Sequence, residues 1–205
     1  MTKVEDLLDP RLKGKICWPA PSLGSNMAMV MLALHKGGDE KNLEPAWEFV
    51  KDLARTGNIG RVANSDQDLT TSISSGETCI IGAAQFIAME LARNFDLQYL
   101  NKMDKETGFR TFVYAEGWCV LKGGHTDAAF EFANFAIDPE NNSQFNKHIA
   151  GVPANAKSEI SDELKPFAFN NEEMDRYAYL PDWSYLSGQT NEWMKRWEQQ
   201  IAPLL

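Results

Sequence analysis

Lys15-Ile-Cys-Trp18-Pro19-Ala-Pro21-Ser22-Leu-Gly24-Ser25-Asn26-Met-Ala-Met-Val-Met-Leu-Ala-Leu-His35-Lys-Gly37-Gly38 holds a strand, a break and a helix in immediate succession. Lys15–Trp18 is apolar enough for a buried strand, and Pro19 and Pro21 end it, because proline has no N–H to give a ladder. Ser22, Ser25 and Asn26 are helix-capping residue types. The apolar run after them predicts a helix over about 26–36, closed by Gly37-Gly38.

The same alternation continues outward from this stretch. Asn42 can cap a second helix, with Pro45 in its first turn and Trp47, Val50 and Ala54 on one face. Ile59–Ala63 reads as a strand, Asp66–Ser74 as a helix, Thr78–Ala83 as a continuous apolar strand and Phe86–Arg93 as a helix. Leu97–Leu100 reads as another short strand. Strands that are apolar on both faces and alternate with helices predict an α/β fold with a mixed, mostly parallel sheet and helices on both faces.

The later half changes character. Phe109-Arg-Thr-Phe-Val-Tyr114-Ala-Glu116-Gly117-Trp-Cys-Val-Leu-Lys-Gly-Gly124 is strand-like at both ends, with a phenol and an acid between them. Thr126 reads as the cap of a helix over Asp127–Ile137 that is apolar almost all round, and so is expected to be buried between layers. A further helix is expected over 140–149, and 158–180 is polar and turn-rich. Thr190 reads as the cap of a terminal helix whose Trp193, Trp197 and Ile201 lie at i, i+4 and i+8, a docking face.

The chain has 205 residues, 43% of them hydrophobic and 24% charged, which suits an ordinary soluble domain with a real core. A net charge of −9 and the lack of a basic stripe exclude a nucleic-acid partner. Cys17, Cys79 and Cys119 are odd in number and fit no metal spacing, so they read as buried, reduced thiols. None has a visible base or cationic neighbour, and no G-x-S-x-G, P-loop or G-x-G-x-x-G occurs, so no enzyme is expected. His35, His125 and His148 lack ligand spacing, so the residues imply no cofactor and no metal. The first residues, MTKVEDLLDP, contain no apolar signal region, and the longest apolar run, Met27–Leu34, is too short to span a bilayer. As written, the chain is expected to stay in the cytoplasm.

In an open α/β sheet, ligands bind at loops beyond the strand C-termini. Three such loops are expected here. Ser22, Ser25 and Asn26 could present helix N–H groups to an anion, although a plain cap uses the same residues. Ser65 and Asp66 form the second loop, first of all as an N-cap, and Gln85 lies in the third. Tyr114 and Glu116, two apart on a strand, would share one face.

The order of segments resembles that of bacterial extracellular solute-binding proteins of ABC transporters, most of all the polyamine (spermidine/putrescine-like) branch. The residues that carry the resemblance are Glu5-Asp-Leu-Leu-Asp-Pro-Arg-Leu-Lys-Gly-Lys-Ile-Cys-Trp-Pro-Ala-Pro-Ser22, Gly38-Asp-Glu-Lys-Asn-Leu-Glu-Pro-Ala-Trp-Glu-Phe49, Asn64-Ser-Asp66 and Ser75-Gly-Glu77. Ala128-Ala-Phe-Glu-Phe-Ala-Asn-Phe-Ala-Ile-Asp-Pro-Glu140, Asp182-Trp183 and Glu192-Trp-Met-Lys-Arg-Trp-Glu198 follow in the same order. The resemblance implies a periplasmic-binding-protein-like architecture of two α/β lobes closing on a ligand. It places residues 10–113 and 165–205 in the second lobe and 117–160 in the first, with most of the first lobe lacking. Tyr114 and Glu116 then fall at a crossover between lobes, where the polyamine-binding branch sets an aromatic and an acid two residues apart to hold an amine.

These readings predict a non-enzymatic protein that binds a small solute, such as a polyamine or other small cation, and works with a membrane permease in the periplasm or outside the cell. Ser22, Ser25, Asn26, Ser65, Asp66, Gln85, Tyr114 and Glu116 would line one wall. The apolar segment 117–160, deprived of neighbours, is expected to pack on the second lobe or to pair with another copy. An intracellular ligand-sensing effector domain of similar fold is the alternative.

Overall fold

Strand β1 (Ile16–Pro19) is buried along its whole length, and two cores form on its two sides. Its side chains alternate as a period of two requires: Ile16 and Trp18 enter one core, Cys17 the other. The structure is a computed structural model and describes the side chains of residues 1–24 and 27–205. The calls on Ser25 and Asn26 lie outside the described residues.

Strands β2 (Ile59–Ala63) and β3 (Ile80–Ile81) flank β1 in the order β2-β1-β3, both parallel to it. Ile16 pairs with Ile59 and Cys17 with Arg61, so Gly60 is an extra residue in β2. A Cβ at Gly60 would stand 2.2 Å from the Gly14 carbonyl oxygen, a contact only glycine permits.

Helices α1 (Ser25–His35) and α2 (Glu44–Arg55) cover one face of the sheet, and α3 (Asp66–Ser74) and α4 (Gln85–Ala92) the other. The expected bounds of β2 and α3 are met to the residue. Pro45 opens α2, and Trp47, Val50 and Ala54 are all buried. Leu43 rather than Asn42 is the N-cap, although the Asn42 side chain still accepts the Glu44 N–H at 3.3 Å. On the other face the second core gathers Cys17, Ala63, Leu69, Ile87 and Leu91.

Strand β4 (Thr111–Phe112) is followed by α5 (Thr126–Ala136), α6 (Pro139–Ile149) and α7 (Asn171–Tyr177). Then β5 (Ala178–Tyr179) pairs in parallel with β4, and α8 (Trp183–Gln200) returns to the first core through Trp193 and Trp197, with Ile201 just beyond it. The chain start is fixed to the same core by Asn58, which is fully buried. Its side-chain amide donates to the Leu7 carbonyl at 2.7 Å and the Asp9 carbonyl at 2.9 Å.

Several expectations fail, those on strands and on the burial of α5 because an apolar run found no partner strand or layer. Thr78–Ala83 contracts to the two residues of β3, and Leu97–Leu100 forms no strand. Beyond β4, residues 115–121 are exposed and lie in no sheet. Helix α5 is exposed rather than sandwiched: only Ala136 is buried on it, and its packing neighbour is α6 rather than the sheet. Its N-cap is His125, not Thr126. Helix α8 starts well before Thr190, where the Asp182 carboxylate accepts the Tyr185 N–H at 3.1 Å. Of the thiols, Cys17 is buried but Cys79 and Cys119 are exposed.

Candidate functional site

Because β1, β2 and β3 run parallel, the loops that leave their C-terminal ends emerge on one edge of the sheet. These loops carry Ser22 after β1, Ser65 and Asp66 after β2, and Gln85 after β3. The chain leaving β4 brings Tyr114 and Glu116 to the same place. The Tyr114 phenol shares a side-chain hydrogen bond with Gln85 and feels the charges of Glu116 and Asp66. Three of the other seven expected site residues therefore act on this one phenol, Gln85 through a hydrogen bond and Glu116 and Asp66 through their charge.

The local sequence explains each placement. Gln85 is the first residue of α4, and its backbone neighbour Ala84 offers no side-chain cap. Asp66 opens α3, where an acid suits the helix dipole. Tyr114 follows β4 by two residues, and its ring stacks on that of Phe112 with centroids 6.2 Å apart. Phe112 in turn meets Trp183 edge-on at 6.4 Å. Neither backing ring was expected in the site. Phe112 was legible from its i, i+2 relation to Tyr114, whereas Trp183 is too remote in sequence for local reading.

Burial, above all, raises the pKa of the Tyr114 phenol, and the negative charges of Glu116 and Asp66 add to the rise against the opposing hydrogen bond with Gln85. The phenol is therefore held neutral. A half-buried neutral phenol flanked by two exposed carboxylates can accept a cationic group: the acids supply charge and the ring face supplies a cation–π contact.

The remaining expected residues are placed differently. Ser65 is the N-cap of α3, and its hydroxyl accepts the Asp68 N–H at 3.1 Å, so it serves the helix. Ser22 is exposed on a single 3-10 turn, Pro21–Leu23, after β1. Gly24, in the left-handed region at φ 99°, is the N-cap of α1 and brings no side chain to it.

A second phenol, Tyr179 on β5, was not expected to matter. Burial raises its pKa first, then the charge of Glu40 and a hydrogen bond to that carboxylate. Glu40 also accepts the Asp182 N–H at 3.0 Å, so this cluster ties the start of α8 to the turn before α2. A surface groove of about 380 Å³ lies between α4 and the end of α6, lined by Phe86, Arg93, Lys147 and His148 among others. Its lining is mixed in charge and shares no residue with the cluster around Tyr114. Among the described residues, no group of three or more His, Cys, Asp or Glu is placed to hold a metal, and no helix is long and apolar enough to cross a membrane.

Comparison with known proteins bears on the whole chain. The family described as bacterial extracellular solute-binding protein matches residues 2–188. Among solved structures, an ABC transporter protein from Clostridium perfringens superposes with a TM-score of 0.70 at 20% identity, over 98% of this chain and 63% of that one. FutA2 from Synechocystis, in its apo form, gives 0.67 at 17% identity, covering 98% and 64%. A ferric binding protein from Campylobacter jejuni gives 0.56 at 18% identity, covering 97% and 62%. The chain thus spans a little under two thirds of the length of these structures, and at such identities the likeness is one of fold. No curated protein matches it in sequence.

Proposed function

Because the chain belongs to the bacterial extracellular solute-binding proteins, we propose that it binds a small cationic solute reversibly, as the binding component of an ABC transporter. The observation that carries the choice of a cation is the convergence of Asp66, Gln85 and Glu116 on Tyr114 at the strand ends. In this reading Glu116 and Asp66 pair with an ammonium group, the Tyr114 ring stacks on its carbon chain, and Gln85 fixes the phenol. Ser22, Ser25 and Asn26 complete the wall, while the Ser65 hydroxyl caps α3 behind it. Residues 10–113 with 165–205 act as one lobe and 117–160 as part of the other. No covalent step is involved, and the partners are the solute and a membrane permease, in the periplasm or outside the cell.

Ferric ion is the second reading, favoured by the likeness of fold to a ferric binding protein from Campylobacter jejuni. Phenolate and carboxylate oxygens are hard donors suited to such an ion. Against it, the phenol of Tyr114 is stabilised in its neutral form, which a phenolate ligand would have to abandon.

A thermal-shift screen separates the two. A ligand at a hundred times its Kd stabilises the folded state by about 2.7 kcal/mol, a clear rise in melting temperature. Diamines and triamines are expected to raise it, and Glu116→Gln to abolish the rise. A response to ferric citrate that Tyr114→Phe removes would replace the amine reading, and a response to oxyanions alone would move the site to the loop after β1.

A further inference from the structure

We propose that Trp183 is a positioning residue of the site around Tyr114: through Phe112 it fixes the plane of the Tyr114 ring, and so the direction in which that ring offers its face to a cation. This role rests on the cationic reading of the site. It assigns the orientation of the ring to the start of α8, remote from Tyr114 in sequence.

The need for such a residue follows from the shape of tyrosine. Its ring turns about the axis through Cγ, Cζ and the phenol oxygen. A hydrogen bond at that oxygen, such as the one shared with Gln85, holds the tip and leaves the plane free. The plane matters, because a cation is attracted over the face of an aromatic ring and not at its edge. It must therefore be set by whatever lies beside the ring. Phe112 lies there, stacked at 27° with centroids 6.2 Å apart. Phenylalanine has no polar tip, and its ring turns about the same kind of axis. The Trp183 indole meets it edge-on, at 77° and 6.4 Å, an arrangement that the ring quadrupoles favour. An indole is lopsided about its Cβ–Cγ bond and cannot turn in place, so it can serve as the fixed member of the three.

Trp183 is anchored without being part of the core. It is 38% exposed and lies outside the first core, to which α8 contributes Leu186, Trp193 and Trp197. The helix thus has its own hold on the lobe and does not need this indole. The preceding residue fixes the backbone at this point. The Asp182 N–H donates to Glu40 at 3.0 Å, and the Asp182 carboxylate accepts the Tyr185 N–H at 3.1 Å. Glu40 is in turn hydrogen-bonded to the Tyr179 phenol on β5. Strands β4 and β5 run parallel with Phe112 opposite Tyr179. Tyr114 and Trp183 follow these two strands, and so both leave the small sheet at the same end.

Trp183→Ala, Trp183→Leu and Trp183→Phe test this, in two measurements. Ring relaxation of isotope-labelled tyrosine, with the Tyr114 signals assigned from Tyr114→Phe, is read without solute, and putrescine is titrated by calorimetry. The Tyr114 ring is expected to be ordered in the wild type, mobile with alanine or leucine, and ordered again with phenylalanine. Leucine keeps apolar bulk without a ring, which covers the case in which alanine loosens the fold. Putrescine affinity should fall about three- to tenfold with alanine or leucine and recover with phenylalanine to within about twofold. A ring as ordered in the leucine variant as in the wild type would overturn the proposal. So would lost ring order with unchanged putrescine affinity, because a plane that binding ignores is not positioned for it. A wild type that binds no putrescine or other amine would sink the cationic reading instead, and the solute-free relaxation would still decide whether Trp183 sets the plane.

Discussion

Helices α1 and α5 are each eleven residues long and rich in apolar side chains, yet their fates differ. On α1, Val30 and Ala33 are completely buried, because β1 on one side and α2 and α8 beyond it supply a surface of matching chemistry. On α5 three phenylalanines face solvent, and the helix has α6 for a neighbour and no sheet. The lobe around β1 thus converts apolar sequence into burial, while the segment from 115 to 152 carries similar sequence without the layers to bury it. Apolar periodicity tells which face of a helix seeks a partner, but the partner has to come from elsewhere in the chain or from another molecule.

The sharpest way to break this contrast is to truncate one large ring in each region and measure urea unfolding at a concentration low enough to favour monomer. Trp47 is 2% exposed, and Arg196 stacks over its ring at 4.7 Å. Trp47→Ala should cost about 3–5 kcal/mol through lost transfer energy and a cavity. Phe130→Ala, at an exposed position, should stay within about 0.5 kcal/mol. Comparable losses at the two sites would mean that α5 is covered within the single chain.

Gly60 sharpens the account of the lobe itself. Gly60→Ala forces a methyl group against the Gly14 backbone, where neither side can yield without moving β2 relative to the turn before β1. A loss of about 1–3 kcal/mol is expected, as for other overpacked sites. An alanine variant with wild-type stability would show that the extra residue in β2 is not held by this contact. Ser65→Ala should cost somewhat less, about 1 kcal/mol, since it removes one cap from α3. If it instead abolishes solute binding while leaving stability unchanged, the hydroxyl belongs to the site rather than to the helix.

Much of the lobe was legible in advance, and the reason is local. β2 and α3 are each bounded by residues that act on their own neighbours, such as Ser65, whose hydroxyl caps the helix it precedes. The misreadings share the opposite property. Whether Leu97–Leu100 or residues 117–121 become strands depends on a neighbouring strand that no local pattern can announce. Thr190 looked like a cap because threonine suits that place, but Asp182 lies upstream with its carboxylate already on an N–H group of α8. Within the site, the spacing of Tyr114 and Glu116 was readable, and so were the loops carrying Asp66 and Gln85, because parallel strands bring such loops to one edge. The contribution of Trp183 behind Phe112 was not readable, since it comes from a helix some seventy residues later.

Acid should separate the two regions by the smallest margin, and the sign can be worked out at Glu5. Its carboxylate accepts hydrogen bonds from Lys36 and from Nε2–H of His35, the latter at 3.0 Å, at the end of α1. The Lys36 bond chiefly, and the His35 bond after it, lower its pKa from an ordinary 4.5 to about 2 against the opposing effect of burial. A carboxylate whose pKa is lower folded than unfolded contributes its stability in full above the unfolded value and loses it as pH falls through the folded one. The clasp between the chain start and α1 should therefore weaken between about pH 4.5 and about pH 2. Asp9 titrates over a similar range, its pKa also lowered to about 2, so the informative quantity is the difference between wild type and Glu5→Gln. Their melting temperatures should differ above pH 4.5 and converge toward pH 2. Among the described residues no ion pair involves positions 115–152. Amide exchange over the same pH range, corrected for intrinsic rates, should then rise at residues 4–8 and not along α5. A matching rise on α5 would show that the segment depends on the same clasp and is not independent of the lobe.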